Sequence, residues 1–210
     1  SQMIDVARRL GPARVVVAAA ADPEVLSAVA EAWQAGIAQA TLVGEEPAIR
    51  RLADDLGLDL GPATIVHEAG TKAAAARAVA LVAAGEADVL AKGQLKTDEL
   101  LGAVLRRDGG IRGAGLLTHV GIFEIATMDR LIYMSDSGVV LYPDIWQKIE
   151  IIRNVVEVAG CFGLAAPKVA LLAAGDEVRP DSPNSVDALT LARMAGQGWV
   201  DRAIVDGPLS

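Results

Sequence analysis

Three short segments carry the residue types that chemistry on a small anion needs. The first is Ala91-Lys92-Gly93-Gln94-Leu95-Lys96-Thr97-Asp98. It offers two ammonium groups, a glycine that lets backbone amides approach a ligand, and a Thr/Asp pair able to cap a helix whose free N–H groups attract phosphate. The same residues also make an ordinary solvated turn between a strand and a helix, so both readings stand. The second is Thr118-His119, a polar pair inside an apolar run. An imidazole there can orient a phosphate or donate to a developing oxyanion, or have its nitrogens satisfied by neighbours. The third is Ser135-Asp136-Ser137-Gly138, with Pro143-Asp144 downstream. Hydroxyls and a carboxylate past a strand are placed to line a crevice, whereas Asp144 has the position of a helix N-cap. Asp206, in Asp206-Gly207-Pro208 at the end of the last apolar run, also falls where strand ends build ligand sites.

Other chemistries lack their parts. The chain has neither the G-x-x-x-x-G-K-[ST] loop nor a G-x-G-x-x-G after a strand. Cys161 stands between Gly160 and Phe162 with no base nearby in sequence, and reads as a small buried hydrophobe. With 2 His and 1 Cys and no ligand spacing, no metal site is expected.

The elements that must position these segments follow from periodicity. Strand-like runs at Arg14–Ala20, Thr41–Val43, Thr64–His67 and Asp88–Ala91 alternate with helical patterns at Pro23–Ala35, Pro47–Leu56, Thr71–Ala84 and Asp98–Arg107. Crossovers of that length predict a mostly parallel sheet. After the Gly-rich stretch Asp108–Gly115 the pattern changes. Leu116–Ile125 and Arg130–Met134 predict an antiparallel pair, then come a helix over Asp144–Phe162, a strand over Lys168–Ala173, a helix over Ser185–Gly196 and a strand over Arg202–Val205. A domain boundary is placed at Gly113, giving an α/β domain over 1–113 and a second over 114–210.

Composition narrows the partners. Of 210 residues, 52% are hydrophobic and only 3% aromatic, which favours close helix-on-sheet packing. A formal net charge of −8 opposes general binding of nucleic acid or an anionic membrane. The longest apolar run, Val15–Ala21, is far short of the roughly 20 residues a membrane helix needs. One cysteine, unable to form an internal disulfide, suits a reducing cytoplasm.

Six pieces in order resemble the phosphate acetyl/butyryltransferase family, and within it the butyryltransferase branch. They are Val15–Ala20 with Asp22-Pro23-Glu24-Val25-Leu26; Ala40–Gly44; Ala87–Gly93 with Thr97; Leu116–Val120 with Phe123-Glu124; Ser135-Asp136 with Pro143-Asp144; and Ala203–Leu209. The resemblance implies a fold like that of the isocitrate and isopropylmalate dehydrogenases: two α/β/α domains with mostly parallel sheets and a cleft between them, assembled as a homodimer or larger. It implies exchange of a short acyl group between coenzyme A and inorganic phosphate, both as substrates, with no cofactor. It gives Lys92 and the Gly93 amide a phosphate or CoA contact and Thr97 a hydrogen bond to the same anion. Thr118, His119, Ser135, Asp136 and Asp206 take substrate-binding places. Two departures accompany it. The family's catalytic Ser-Arg pair and Asp are expected beyond Ser210, and Gly102 stands where relatives carry an arginine, with Arg106 a turn further on. A non-catalytic acyl-CoA or anion-binding module of the same fold is the alternative; a dehydrogenase or pyridoxal-pathway enzyme of this architecture would need clustered metal-binding aspartates that are not evident.

Overall fold

The computed structural model describes residues 2–210. Its elements run α1 (Gln2–Leu10), β1 (Ala13–Ala18), α2 (Pro23–Gln34), β2 (Ala38–Gly44), α3 (Glu46–Leu56), β3 (Thr64–His67), α4 (Thr71–Ala83), β4 (Val89–Lys92) and α5 (Thr97–Val104). They continue through β5 (Gly121–Glu124), β6 (Leu131–Met134), α6 (Ile145–Cys161), β7 (Lys168–Leu172), α7 (Pro183–Gly196) and β8 (Ile204–Leu209). The chain divides between Gly113 and Ala114 into two compact units.

In the first unit four parallel strands lie in the order β3-β2-β1-β4. Side chains along β1 alternate between faces, as the two-residue strand period requires. Val16 and Ala18 join Val43 and the buried Ala74, Ala75, Ala78 and Val79 of α4, with α5 alongside through Ala103. Val17 and Ala20 join Leu42, Leu26 of α2, and Ile49 and Ala53 of α3. The sheet is therefore covered on both faces, which explains why its central strands read as continuous apolar runs. Each fully buried Leu, Ile or Val here contributes on the order of 2 kcal/mol by leaving water. The alanines of α4 let the helix sit close to the sheet. Asp22 caps α2, its carboxylate accepting from the N–H groups of Glu24 and Val25.

The second unit holds two small sheets. β5 and β6 are antiparallel, with Gly121 opposite Met134 and Glu124 opposite Leu131. β7 and β8 are parallel, with an irregularity between Ala170 and Leu172. The core gathers Ile149, Ile152 and Val156 of α6 with Leu191 of α7 and Val200, and Val169, Leu171 and Val205 pack against it. Lys148 and Asp187 pair at 2.6 Å between α6 and α7. Asp144 caps α6 in a capping box with Gln147, as its position before the long helix suggested.

The structure differs from the sequence expectations at four points. α1 has no counterpart among the expected elements. One strand is expected over Leu116–Ile125, but regular pairing begins only at Gly121, so Thr118 and His119 lie in irregular chain before β5. The last strand begins at Ile204 and runs on to Leu209, taking Asp206 into the strand itself. Cys161 is exposed at the end of α6 rather than buried. Among the described residues no helix is long and apolar enough to cross a membrane.

Candidate functional site

Lys92 ends β4, and the chain turns immediately at Gly93. The Gly93 N–H donates to the Ala18 carbonyl at 2.8 Å and the Gln94 N–H to the Ala19 carbonyl at 2.8 Å. A Cβ on Gly93 would lie 2.3 Å from the Ala19 oxygen and 2.7 Å from the Ala18 oxygen, so only glycine fits. The Gly93 amide, expected to meet a ligand, is thus committed to the end of β1; the glycine shapes the turn instead. Lys92 Nζ donates to the carbonyls of Gly93 at 3.3 Å and Leu95 at 3.0 Å, which fastens the loop and leaves one of its three protons for another acceptor. α5 begins at Thr97 with Lys96 as N-cap and no side-chain cap, so the expected Thr97/Asp98 cap is absent. Thr97 stands at the first helical position, where backbone N–H groups lack intrahelical partners.

In the second unit, residues 17 positions apart close on one another. The Asp136 carboxylate accepts from the His119 N–H at 3.3 Å, the Gly138 N–H at 2.9 Å and the Val139 N–H at 3.0 Å. Ser135 Oγ donates to the His119 carbonyl at 2.6 Å, and Ser137 Oγ lies 2.7 Å from His119 Nδ1. Thr118 is held by Asn154 of α6, whose amide nitrogen donates to Thr118 Oγ1 and to the Leu116 carbonyl, each at 3.0 Å. Burial pushes the Asp136 carboxyl up, but N–H donation from Val139, Gly138, His119 and Val140 outweighs it and holds the group below the ordinary carboxylate range. Asp136 is therefore an anion at neutral pH, wrapped by amides.

Thr118, His119, Ser135 and Asp136 are thus brought together as one cluster. Asp206 is not tied to them; its carboxylate accepts from the Gly207 N–H at 2.9 Å. Two members have partners that the sequence does not show. Ser137 belongs to the Ser135-Asp136-Ser137-Gly138 segment, which does not reveal its bond to His119. Asn154 sits on the long helix with no local signal at all. Among the described residues no group of three or more His, Cys, Asp or Glu is gathered as metal ligands.

The family model described as phosphate acetyl/butaryl transferase matches residues 1–76 and 67–210. The chain belongs to that family. Within it, a phosphate butyryltransferase from Clostridium acetobutylicum is 39% identical over 197 residues, covering 94% of this chain and 65% of the relative. A phosphate acetyltransferase from Thermotoga maritima is 33% identical over 209 residues, covering 100% of this chain and 70% of the relative. A branched-chain phosphotransacylase from Enterococcus faecalis superposes with a TM-score of 0.79 at 30% identity, covering 94% of this chain and 68% of that one. The chain spans 65% of the length of its clostridial phosphate butyryltransferase relative, and the α/β architecture is that of the phosphotransacylase structures.

Proposed function

We propose that the protein exchanges a short acyl group between coenzyme A and inorganic phosphate. The observation that carries this is the family match along the chain together with relatives named as phosphate butyryl- and acetyltransferases. An oxygen of hydrogenphosphate attacks the thioester carbonyl, the new C–O bond forms, the C–S bond breaks, and the proton that hydrogenphosphate gives up ends on the departing CoA sulfur. Two polyanionic reactants must be held together while charge develops on the carbonyl oxygen, so the protein's work is positioning and electrostatics. Coenzyme A and phosphate enter as substrates, and the scheme uses no metal or redox cofactor. Lys92, with its remaining proton, and Thr97, at the opening of α5, are suited to phosphate oxygens. Gly93 sets the turn that aims them. His119 and Thr118 offer donors in the second unit, Ser135 and Asp136 hold them in place, and Asp206 is a further candidate contact. Cytoplasmic residence and assembly as a homodimer or larger go with this reading. Supporting assembly, Leu141, Tyr142 and Leu172 of the second unit are at least 71% exposed.

The test is release of free thiol from acetyl-, propionyl- or butyryl-CoA on addition of phosphate, by this chain and by a version extended to the relatives' length, with calorimetric titration of CoA and phosphate alongside. Thiol release with the extended protein is expected. Absence of turnover for every acyl chain by the extended protein would sink the proposal. Binding heat without turnover would leave only a binding module.

A further inference from the structure

We propose that Ser137 is a positioning residue that fixes the neutral His119 ring with its proton on Nε2, making that nitrogen the ring's one donor to an anionic substrate oxygen. The proposal rests on the acyl-transfer reading and names the atom and the device behind it.

Three consecutive residues occupy three of the four polar handles of His119. Asp136 takes its backbone N–H, Ser135 donates to its carbonyl, and Ser137 sits on Nδ1. Only Nε2 has no hydrogen-bond partner among the described residues. The direction of the Ser137 bond decides the tautomer. Its 2.7 Å length is at the short end of the N–H···O range, whose centre is nearer 2.9–3.0 Å, and so favours the hydroxyl as donor. Among the described residues Nδ1 is the one acceptor within reach of the Ser137 hydroxyl, and we take that hydroxyl as the donor. Asp136 cannot claim an Nδ1–H instead, because its oxygens are turned to backbone amides. The neutral ring then carries its proton on Nε2. There it can donate to a phosphate oxygen, or to the carbonyl oxygen as the thioester is attacked, without transferring the proton.

The chain has only 2 histidines, so long-range 1H–15N NMR of the uniformly labelled protein reads the tautomer directly. His67 is an internal reference: its Nδ1 accepts from the Glu46 N–H at 3.2 Å, and His67→Asn assigns its signals. At a pH where both rings are neutral, His119 is expected as a single Nε2–H tautomer. Ser137→Ala should give a mixture of tautomers and weaken inorganic phosphate binding, followed at Nε2, about fivefold, the worth of one hydrogen bond. Ser137→Thr should restore both. If alanine disturbs the loop, Ser137→Cys, a similar shape with a weaker donor, gives the same comparison. An Nδ1–H tautomer in the native protein, or a tautomer unchanged in a folded Ser137→Ala, overturns the proposal. If the tautomer responds as expected but phosphate leaves His119 unmoved, the tautomer control stands and the role of Nε2 as donor to a substrate oxygen is overturned, while the acyl-transfer reading is decided separately by thiol release.

Discussion

Replacing Gly93 with alanine is expected to lower the stability of the first unit by about 3 kcal/mol, the upper part of the range for forcing atoms into packed space. The new Cβ would meet two backbone oxygens, at 2.3 Å and 2.7 Å, and backbone cannot step aside as a flexible side chain can. Either the β1 end moves or β4 withdraws, and the hydrogen bonds from Gly93 and Gln94 to Ala18 and Ala19 weaken together. Trp33 lies in the first unit while Trp146 and Trp199 lie in the second, so a Trp146→Phe/Trp199→Phe background makes fluorescence report the first unit alone. Urea titration in that background should show the midpoint fall sharply for Gly93→Ala while the second unit, followed in Trp33→Phe, is unchanged. A midpoint within error of the parent would mean that the close approach does not exist in solution.

The second large effect is expected at Asp136. Asp136→Ala removes the acceptor shared by the N–H groups of His119, Gly138 and Val139, and should cost the second unit about 2 kcal/mol, less than a fully buried network would because the carboxylate is partly exposed. Its pH dependence has a definite sign. The folded carboxyl titrates below its unfolded value, so the stability it confers is present above the ordinary aspartate range and is lost as pH falls through the depressed folded value. The parent should therefore lose stability below about pH 4 more steeply than Asp136→Asn, which has no proton to gain there. Parallel acid-dependence curves for the two would remove the carboxylate from the account.

Much of this architecture was legible because its local signals agree. Asp22 before Pro23 and Asp144 before the long helix are caps by position, and both accept helix N–H groups in the structure. The buried strands of the first unit read as apolar runs because helices cover both faces of the sheet. What was not legible depends on contacts distant in sequence. α1 is short and has no cap signal, and one of its ties is a bond from Arg8 to the Ala35 carbonyl, 27 residues away. The run Leu116–Val120 has the composition of a strand, yet the strand opposite yields to Ser135 and Asp136, whose side chains take the His119 carbonyl and N–H that a ladder would use. In the candidate site, the residue types marked His119 and Asp136, but nothing local in Asn154 announces that it holds Thr118 from a helix 36 positions on. The need for flexibility at Gly93 is legible but its partner is not, because the approach of β1 cannot be seen from β4 alone.

The hairpin between β5 and β6 carries a consequence for how this protein can vary. Gly121 faces Met134, and counting outward by two on each side brings His119 to Asp136. The site is thus an extension of the strand alignment, set by the number of residues in the connection over 125–130. Exposed connections normally absorb insertions and deletions at little cost. Here a change of one residue that shifted the alignment would bring a serine to the place of the carboxylate, so an exposed surface segment is bound to a fixed length.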